Sequence, residues 1–390
     1  LDAALIGQTG FMAKHNDLRV VLCAPGFPVS ADHADKPFLL DHALALVKAG
    51  LEVTVVCPMV NGARPRQSMG KIEVIRVAYA PRRWQTLAST GSMYQEARGA
   101  KALLVLPMLF CLTVAMIRQL RESNTVAYGH WWIPGGCVAV LAGLLTRRPR
   151  VVHLHGSDAA ITKAKILRLF AWVVIRLADA RLAVSDELAE WGERISSRKV
   201  QVLAMPVDIE RLPSPTPAPE NGPFLGVGRL VPEKGFDLLI EAAALVDLGK
   251  RPEIVIVGVG PERAQLDALA RRLNVELHLP GAVSPKDIGD WYRKASVVVV
   301  PSRREGFGLV AAEAAASARA VVGTRVGALP QLIDDGISGL LVEPQNVEAL
   351  AEALTSINPA WGRHGPSKIT ELGMESHGHQ VRQLCEKLLN

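Results

Sequence analysis

Glu305-Gly306-Phe307-Gly308-Leu309-Val310-Ala311-Ala312-Glu313 is the stretch on which the reading of this chain turns. Just before it stands the apolar, β-branched run Ser296 to Val300, closed by Pro301-Ser302. Such an uninterrupted run predicts a strand buried on both faces, as in a parallel sheet. The Ala-rich run Leu309 to Ala316 predicts a helix, because Ala loses no side-chain entropy there. Glu305 then falls at the carboxyl end of a parallel strand, where open α/β sheets bind ligands. Gly308 and Leu309 open the helix, so their N–H groups and the helix dipole suit a phosphate. Glu313, one turn later, is placed to reach a hydroxyl-bearing group attached to that phosphate. Two acids, a glycine turn and a helix start together suggest a sugar nucleotide. The plain alternative is a pair of solvated acids around a turn.

Working outward, strands alternate with helical segments in both halves, the rhythm of a doubly wound parallel sheet. The first half predicts strands at Leu18–Ala24, Leu51–Cys57, Glu73–Ala78, Thr125–Gly129, Arg150–His155, Ala180–Ser185 and Val200–Ala204. A helix is expected near Phe38–Ala49. The rhythm restarts with Phe224–Gly228, Glu253–Val257, Val275–Leu279, Val297–Val300, Ala320–Gly323 and Leu340–Glu343. Between Pro206 and Pro223, four prolines alternate with small or polar residues. That stretch cannot hold a helix or an inner strand and reads as a semi-rigid linker and hinge region. The last predicted helix, Ser376 to Leu388, follows the break Trp361 to Pro366.

Other constellations sit at strand ends. Gly228-Arg229-Leu230-Val231-Pro232-Glu233-Lys234-Gly235 holds two cations that can converge on a diphosphate, Arg as a fork and Lys as a mobile charge. Taken alone it is equally a solvated loop. His153 and His155 face one side of their strand by alternation, so either can be a packed core histidine. Asp158 either orients a sugar hydroxyl or caps the following helix. In His130-Trp131-Trp132-Ile133-Pro134-Gly135-Gly136 a Trp can stack on an acceptor, though burial of at least one is expected. Gly258-Val259-Gly260-Pro261 is a weak signal, because glycines also serve simple turns.

Together these residues resemble the retaining glycosyltransferases of family GT4, which have the GT-B fold. Glu305 and Glu313 match that family's Glu-x7-Glu motif, and the Arg229–Lys234 turn matches its diphosphate loop. His155-Gly156-Ser157-Asp158 is similar to its active-site His motif, His130-Trp131 to its His-Trp segment, and Gly258 to Gly260 to the turn near the nucleotide base. The likeness runs from Leu18 onward and is strongest from Phe224 to Glu343. It implies an α/β chain of two Rossmann-like doubly wound domains with a cleft between them. Residues 18–205 would form the acceptor-side domain, 206–223 the linker and 224–365 the donor domain. A C-terminal helix of about 370–390 would cross back onto the first domain, although the sequence alone equally allows it to pack on the second.

The resemblance further implies transfer of a hexose-type sugar, with retention, from a nucleoside-diphosphate sugar to a hydroxyl acceptor, UDP being favoured over GDP. The acceptor class stays open between polysaccharide, lipid-linked intermediate and small molecule. On this reading Glu305 and His155 are catalytic. Arg229, Lys234, Gly308, Leu309, Glu313, Phe307, Gly228 and Gly258 bind the donor, and His130, Trp131 and Asp158 lie on the acceptor side. No metal or other cofactor is expected, since Asp-x-Asp is absent and the basic loop supplies positive charge. Departures are the missing Gly-Gly loop after the first strand, where Pro25 to Ser30 stand, and Ala318 and Ala320 where Gly and Pro are common. A sugar-nucleotide epimerase, a phosphorylase or a degenerate sugar-nucleotide-binding protein are the alternatives.

Composition bounds the rest. A chain of 390 residues can build two full cores. Five scattered cysteines without C-x-x-C imply a reducing compartment rather than disulfides or zinc. No apolar segment of signal-peptide type is read in residues 1–17, so a cytoplasmic location is expected. The apolar run Ala102 to Ile117, interrupted by Pro107, is expected to be a buried helix. Formal charge is +10 for residues 1–205 and −4 for 206–390. A basic first half suggests an anionic partner, with peripheral association at the inner membrane face as one form. Nucleic acid is disfavoured, because no basic run carries interleaved aromatics.

Overall fold

The computed structural model describes residues 18–30, 36–87, 97, 99–247, 249 and 251–390. Residues 1–17, on which the reading of no signal peptide rests, lie outside the described residues. The first sheet is built from β1 (Arg19–Cys23), β2 (Glu52–Pro58), β3 (Arg66–Met69), β4 (Ile72–Val77), β5 (Thr125–His130), β6 (Arg150–Leu154), β7 (Ala180–Ala183) and β8 (Gln201–Val202). Its order is 3-4-2-1-5-6-7-8, parallel except for the hairpin partner β3. The connecting helices are α1 (Pro37–Lys48), α2 (Val105–Gln119), α3 (Cys137–Thr146), α4 (Lys165–Leu177) and α5 (Asp186–Ser196).

The second sheet contains β9 (Phe224–Val227), β10 (Ile254–Val257), β11 (Leu277–Gly281), β12 (Val297–Val300), β13 (Ala320–Thr324) and β14 (Gly339–Val342). It runs 11-10-9-12-13-14, all parallel. Helices α6 (Phe236–Leu245), α7 (Arg263–Leu273), α8 (Ile288–Lys294), α9 (Leu309–Ala316), α10 (Leu329–Leu332) and α11 (Val347–Ser356) wrap it. Strands such as β12, four valines all buried, are hydrophobic on both faces because helices cover both. The chain ends with α12 (Gly365–Ile369) and α13 (Met374–Leu389).

α13 leaves the second domain and packs on α1. Val381 and Cys385 enter the first-domain core, and a Cβ on Gly378 would meet the Ala45 carbonyl oxygen at 2.2 Å. Only glycine permits that approach. Where the chain crosses, Val207 bridges to Gly373, so the two strands between the domains run side by side. The proline-rich segment is also anchored further on. Arg319, 1% exposed, spends its guanidinium on Tyr292 O, Arg293 O, Ala318 O, Thr216 O and Thr216 Oγ1. A buried cation without a carboxylate is tolerated there because five oxygens replace its hydration.

One expectation is corrected. The apolar run Ala102 to Ile117 does form a helix, but it is not a buried one. Only Met108, Leu112, Thr113 and Met116 of α2 turn inward, while Leu103, Leu106 and Phe110 are exposed. The span Gly99–Gln119 is long and apolar enough to cross a membrane, and it is 22% buried. Composition alone could not tell which face of it finds a partner.

Candidate functional site

In each sheet the strand order reverses beside the first strand, between β1 and β5 and between β9 and β12. Connections leave in opposite directions at such a point and open a crevice at the strand carboxyl ends. The two crevices face one another across a cavity of about 590 Å³. From the first domain it is lined by Phe38, Trp131, His155, Gly156, Ser157 and Ile161, among others. From the second come Arg229, Glu233, Lys234, Arg304, Glu305 and Gly306 to Leu309. The domains touch at the rim: a Cβ on Gly156 would lie 2.6 Å from Gly306 Cα. Gly327 N donates to Glu187 Oε2 at 2.9 Å, and Gln331 donates to Asp186.

On the donor side the β9 turn and the β12 turn meet. Lys234 Nζ donates to Glu305 Oε2 at 2.7 Å, and Ser302 Oγ donates to the same oxygen at 3.1 Å. Gly306 N completes the set, donating to Glu305 Oε1 at 3.3 Å. The acid is thus held by a cation, a hydroxyl and an amide, and points into the cavity. Gly308 caps α9 at φ 83°, the left-handed conformation that glycine reaches without strain. Gly308 and Leu309 precede the first hydrogen bond of α9, Ala311 N to Gly308 O at 2.9 Å, so their N–H groups are available to the cavity they line.

Three donor-side residues fall elsewhere. Glu313 sits one helical turn deeper and is buried, its Oε2 accepting from Tyr292 O–H at 2.7 Å. Burial pushes its carboxyl up to about 7, against the lowering by the Tyr292 bond and Arg211. It does not line the cavity. Gly228 lies behind Lys234, whose side chain passes 3.4 Å from where a Cβ would stand. Gly258 packs on the Gly228 backbone, where a Cβ would come within 1.8 Å of the carbonyl oxygen. It therefore serves the turn and does not reach the cavity.

On the acceptor side, His155 and Trp131 form the wall, their rings stacked with centroids 4.2 Å apart. Trp131 Nε1 donates to Ser157 Oγ at 2.9 Å, which fixes the indole edge. His130 and Asp158 are behind this wall, not in it. His130 is fully buried with Nδ1 3.0 Å from His155 Nε2. Asp158 is equally buried, and accepts from His155 N at 2.8 Å and Trp132 N at 3.2 Å. It neither faces a sugar nor caps a helix; it ties the β5 and β6 turns together. Trp132, also fully buried, adds Nε1–H donation to Asp158 O.

Behind His155 lies a group the strand alternation only hinted at. His42, His130, His153, His155 and His377 come from α1, β5, β6, the β6 turn and α13, with Tyr128 among them. His42 Nδ1 is 2.8 Å from His377 Nε2, and Tyr128 Oη is 2.8 Å from His153 Nδ1. Burial drives every one of these imidazoles below the usual range, His153 to about 4 and His377 to about 3. They are neutral at pH 7 and cannot repel one another. Ligand atoms of His130, His153 and His155 lie within 4.8 Å of each other, a spacing that can hold a metal ion. His153, however, spends both ring nitrogens on Tyr128 Oη and Leu203 O. The donor set is therefore that of a hydrogen-bonded core.

Two facing Rossmann-like domains, with a cation–acid turn and a helix N-terminus in the cleft, define a glycosyltransferase of GT-B architecture. The sequence pattern described as "Glycosyltransferase Family 4" matches residues 38–211, and that described as "Glycosyl transferases group 1" matches 223–357. An uncharacterized glycosyltransferase of Methanocaldococcus jannaschii is 32% identical over 279 residues, 68% of this chain and 76% of that protein. A D-inositol 3-phosphate glycosyltransferase of Xylanimonas cellulosilytica is 32% identical over 368 residues, 84% of this chain and 83% of the relative. This chain belongs to the GT4-type glycosyltransferases. Among solved structures, sucrose-phosphate synthase from Thermosynechococcus elongatus superposes with TM-score 0.78 at 19% identity, covering 95% of this chain and 99% of that one. Anabaena HepE in complex with UDP-glucose gives 0.70 at 17%, covering 95% and 100%.

Proposed function

We propose that this glycosyltransferase moves a hexose-type sugar from a UDP-sugar to a hydroxyl acceptor, retaining the anomeric configuration and using no metal. The observation that carries this reading is the convergence of Arg229, Lys234, Glu305, the start of α9 and His155 on one cavity. Arg229, Lys234 and the Gly308 and Leu309 amides match the charge of a diphosphate, whose negative charge grows as it departs. That set supplies the positive charge a metal would otherwise bring. UDP as the carrier is supported by the HepE neighbour, which was solved with UDP-glucose.

Lys234 neutralises Glu305. A bound diphosphate would compete for Lys234 and leave Glu305 facing the sugar ring, where positive charge develops. Retention would proceed without a glycosyl-enzyme intermediate, because among the described residues each carboxylate lining the cavity is already engaged: Glu305 by three donors and Glu233 by Arg304. The leaving phosphate would then accept the acceptor's proton on the same face. His155, kept neutral by burial, contributes a hydrogen bond to the sugar and no charge.

Calorimetry with UDP and GDP tests the donor site. Arg229→Ala is expected to weaken UDP binding by about 1.5–3 kcal/mol, the range for charge-assisted hydrogen bonds. Unchanged affinity would remove this loop from the site. NMR of the product should show the donor's configuration kept, with full activity in EDTA; an inverted product or a strict metal requirement overturns the mechanism.

A further inference from the structure

Seven of the first half's Lys and Arg, and none of its Asp or Glu, fall in the three segments 99–119, 137–148 and 165–177. Helices α2, α3 and α4 cover the same side of the first sheet, with α3 packed between the other two. Their inner residues fill the core, and many of their outer residues are apolar. Leu106 and Phe110 on α2, Leu144 and Leu145 on α3, and Leu169 and Phe170 on α4 are all at least 43% exposed. Leu141, Leu144 and Leu145 on α3, and Ile166, Leu169 and Phe170 on α4, stand three and four apart, as Leu106 and Phe110 do on α2, so each helix shows one outward apolar stripe. Soluble surfaces scatter such residues singly; a contiguous set marks an interaction face.

The charge around this face selects its partner. Residues 99–119, 137–148 and 165–177 contain no Asp or Glu. Their exposed charged residues include Lys101, Arg118, Arg147, Lys165, Arg168 and Arg176. Two copies of this chain apposed through it would set like charges opposite each other. An anionic lipid surface answers both features, because acyl chains take the leucines and phenylalanines while headgroups take the cations.

We infer that the α2–α3–α4 face is a docking surface for an anionic membrane, on which the protein lies without spanning it. α2 keeps Met108, Leu112 and Met116 in the protein core, so only its outer stripe enters the lipid. The depth of such contact is that of interfacial helices. Ala160 and Ile161 line the cleft and α4 begins four residues later, so a docked molecule holds its cleft mouth close to the bilayer.

Vesicle sedimentation tests this with the full chain and no reliance on turnover. Vesicles of phosphatidylcholine alone are compared with phosphatidylcholine mixed with phosphatidylglycerol, at low and high salt. The native protein is expected to bind the mixed vesicles at least about tenfold more tightly at low salt. Lys165→Glu with Arg168→Glu should lower that binding by about fivefold or more for each cation reversed. Leu106→Ser, Phe110→Ser and Leu145→Ser together should abolish the part that survives high salt. Calorimetry with UDP checks that both variants keep a native donor site, since none of these residues lines it. Native-like vesicle binding by both variants, or no binding of the native protein to either vesicle, overturns the inference. So does a native dimer in the ultracentrifuge that the Leu106/Phe110/Leu145 variant converts to monomer, which would assign the face to a second copy.

Discussion

The two domains share a fold but build their halves of the cleft from opposite materials. The second domain uses charge close to the surface: Lys234 on Glu305, Arg303 on Asp237, Arg304 on Glu233. The first domain uses buried neutral polarity, with His155 backed by four further imidazoles and Tyr128. A site that would grip and release a charged diphosphate, as proposed, needs mobile, solvated ions near water. A wall that must hold one ring in place needs partners that do not exchange with solvent. The contrast makes the two halves separable by pH, by single substitution and by stability.

Acid should produce the largest effect, and mostly in the first domain. The buried imidazoles have folded-state pKa values below their unfolded values near 6.5. Unfolded chains then bind protons that folded ones do not, so this stability is present above pH 6.5 and is lost as pH falls toward 4 and 3. Each such histidine costs about 1.4 kcal/mol per pH unit in that window. Glu313, raised to about 7, acts in the opposite sense, as do Asp158, Asp41 and Glu262, all raised by burial. The five imidazoles together outweigh these carboxyls, and a net loss of several kcal/mol is expected between pH 7.5 and 5. Hydrogen exchange should show α1 and α13, joined by His42 and His377, opening first while β12 and α9 stay protected. Uniform loss of protection across both sheets would break the comparison.

A substitution in the second domain should act on rate alone. Glu305→Gln keeps the shape of the side chain but removes the negative charge that, in the proposed mechanism, would face the sugar. Turnover is expected to fall about 10²- to 10³-fold, the size of losing one preorganised electrostatic contact. UDP affinity should stay level or tighten, because Lys234 loses its competing partner. Steady-state kinetics with calorimetry separates the two. A parallel loss of UDP affinity would make Glu305 a ground-state ligand instead.

What the chain discloses in advance follows the same division. β12 and α9 are legible because the four valines and the alanine run carry their own local signal, and the donor turns lie within a few residues of strand ends. The imidazole group is not legible, since its members come from four separate segments and only His153 and His155 stand near one another in sequence. Arg319 is likewise silent, because its acceptor Thr216 stands 103 positions away. β3, with the sequence Arg-Gln-Ser-Met, has no apolar alternation and is held by its antiparallel pairing with β4 and by Gln67 Nε2 donating to Val29 O. The depth of Glu313 depends on Tyr292 of α8, which no spacing announces.

The smallest effect tests whether the second domain carries strain that the sequence departure at Ala318 implies. α9 ends in a Schellman arrangement: Arg319 N–H reaches Ala314 O at 2.9 Å and Ala318 N–H reaches Ala315 O at 3.1 Å. Such an ending requires a left-handed residue, and Ala318 adopts φ 56° to supply it. A non-glycine residue there costs about 1–2 kcal/mol, from the approach of Cβ to the following carbonyl. Glycine would relieve that cost while giving back about 0.4–1 kcal/mol through the greater freedom of its unfolded chain. Ala318→Gly should therefore raise stability by about 0.5–1 kcal/mol, or a Tm gain of about 1–4 °C for a domain of this size. Calorimetric melting reads it, and turnover should not change because Ala318 lies outside the cleft. A lower Tm would mean that the buried methyl group packs well enough to outweigh the strain, and that Arg319, next in the chain, holds the turn without help from glycine.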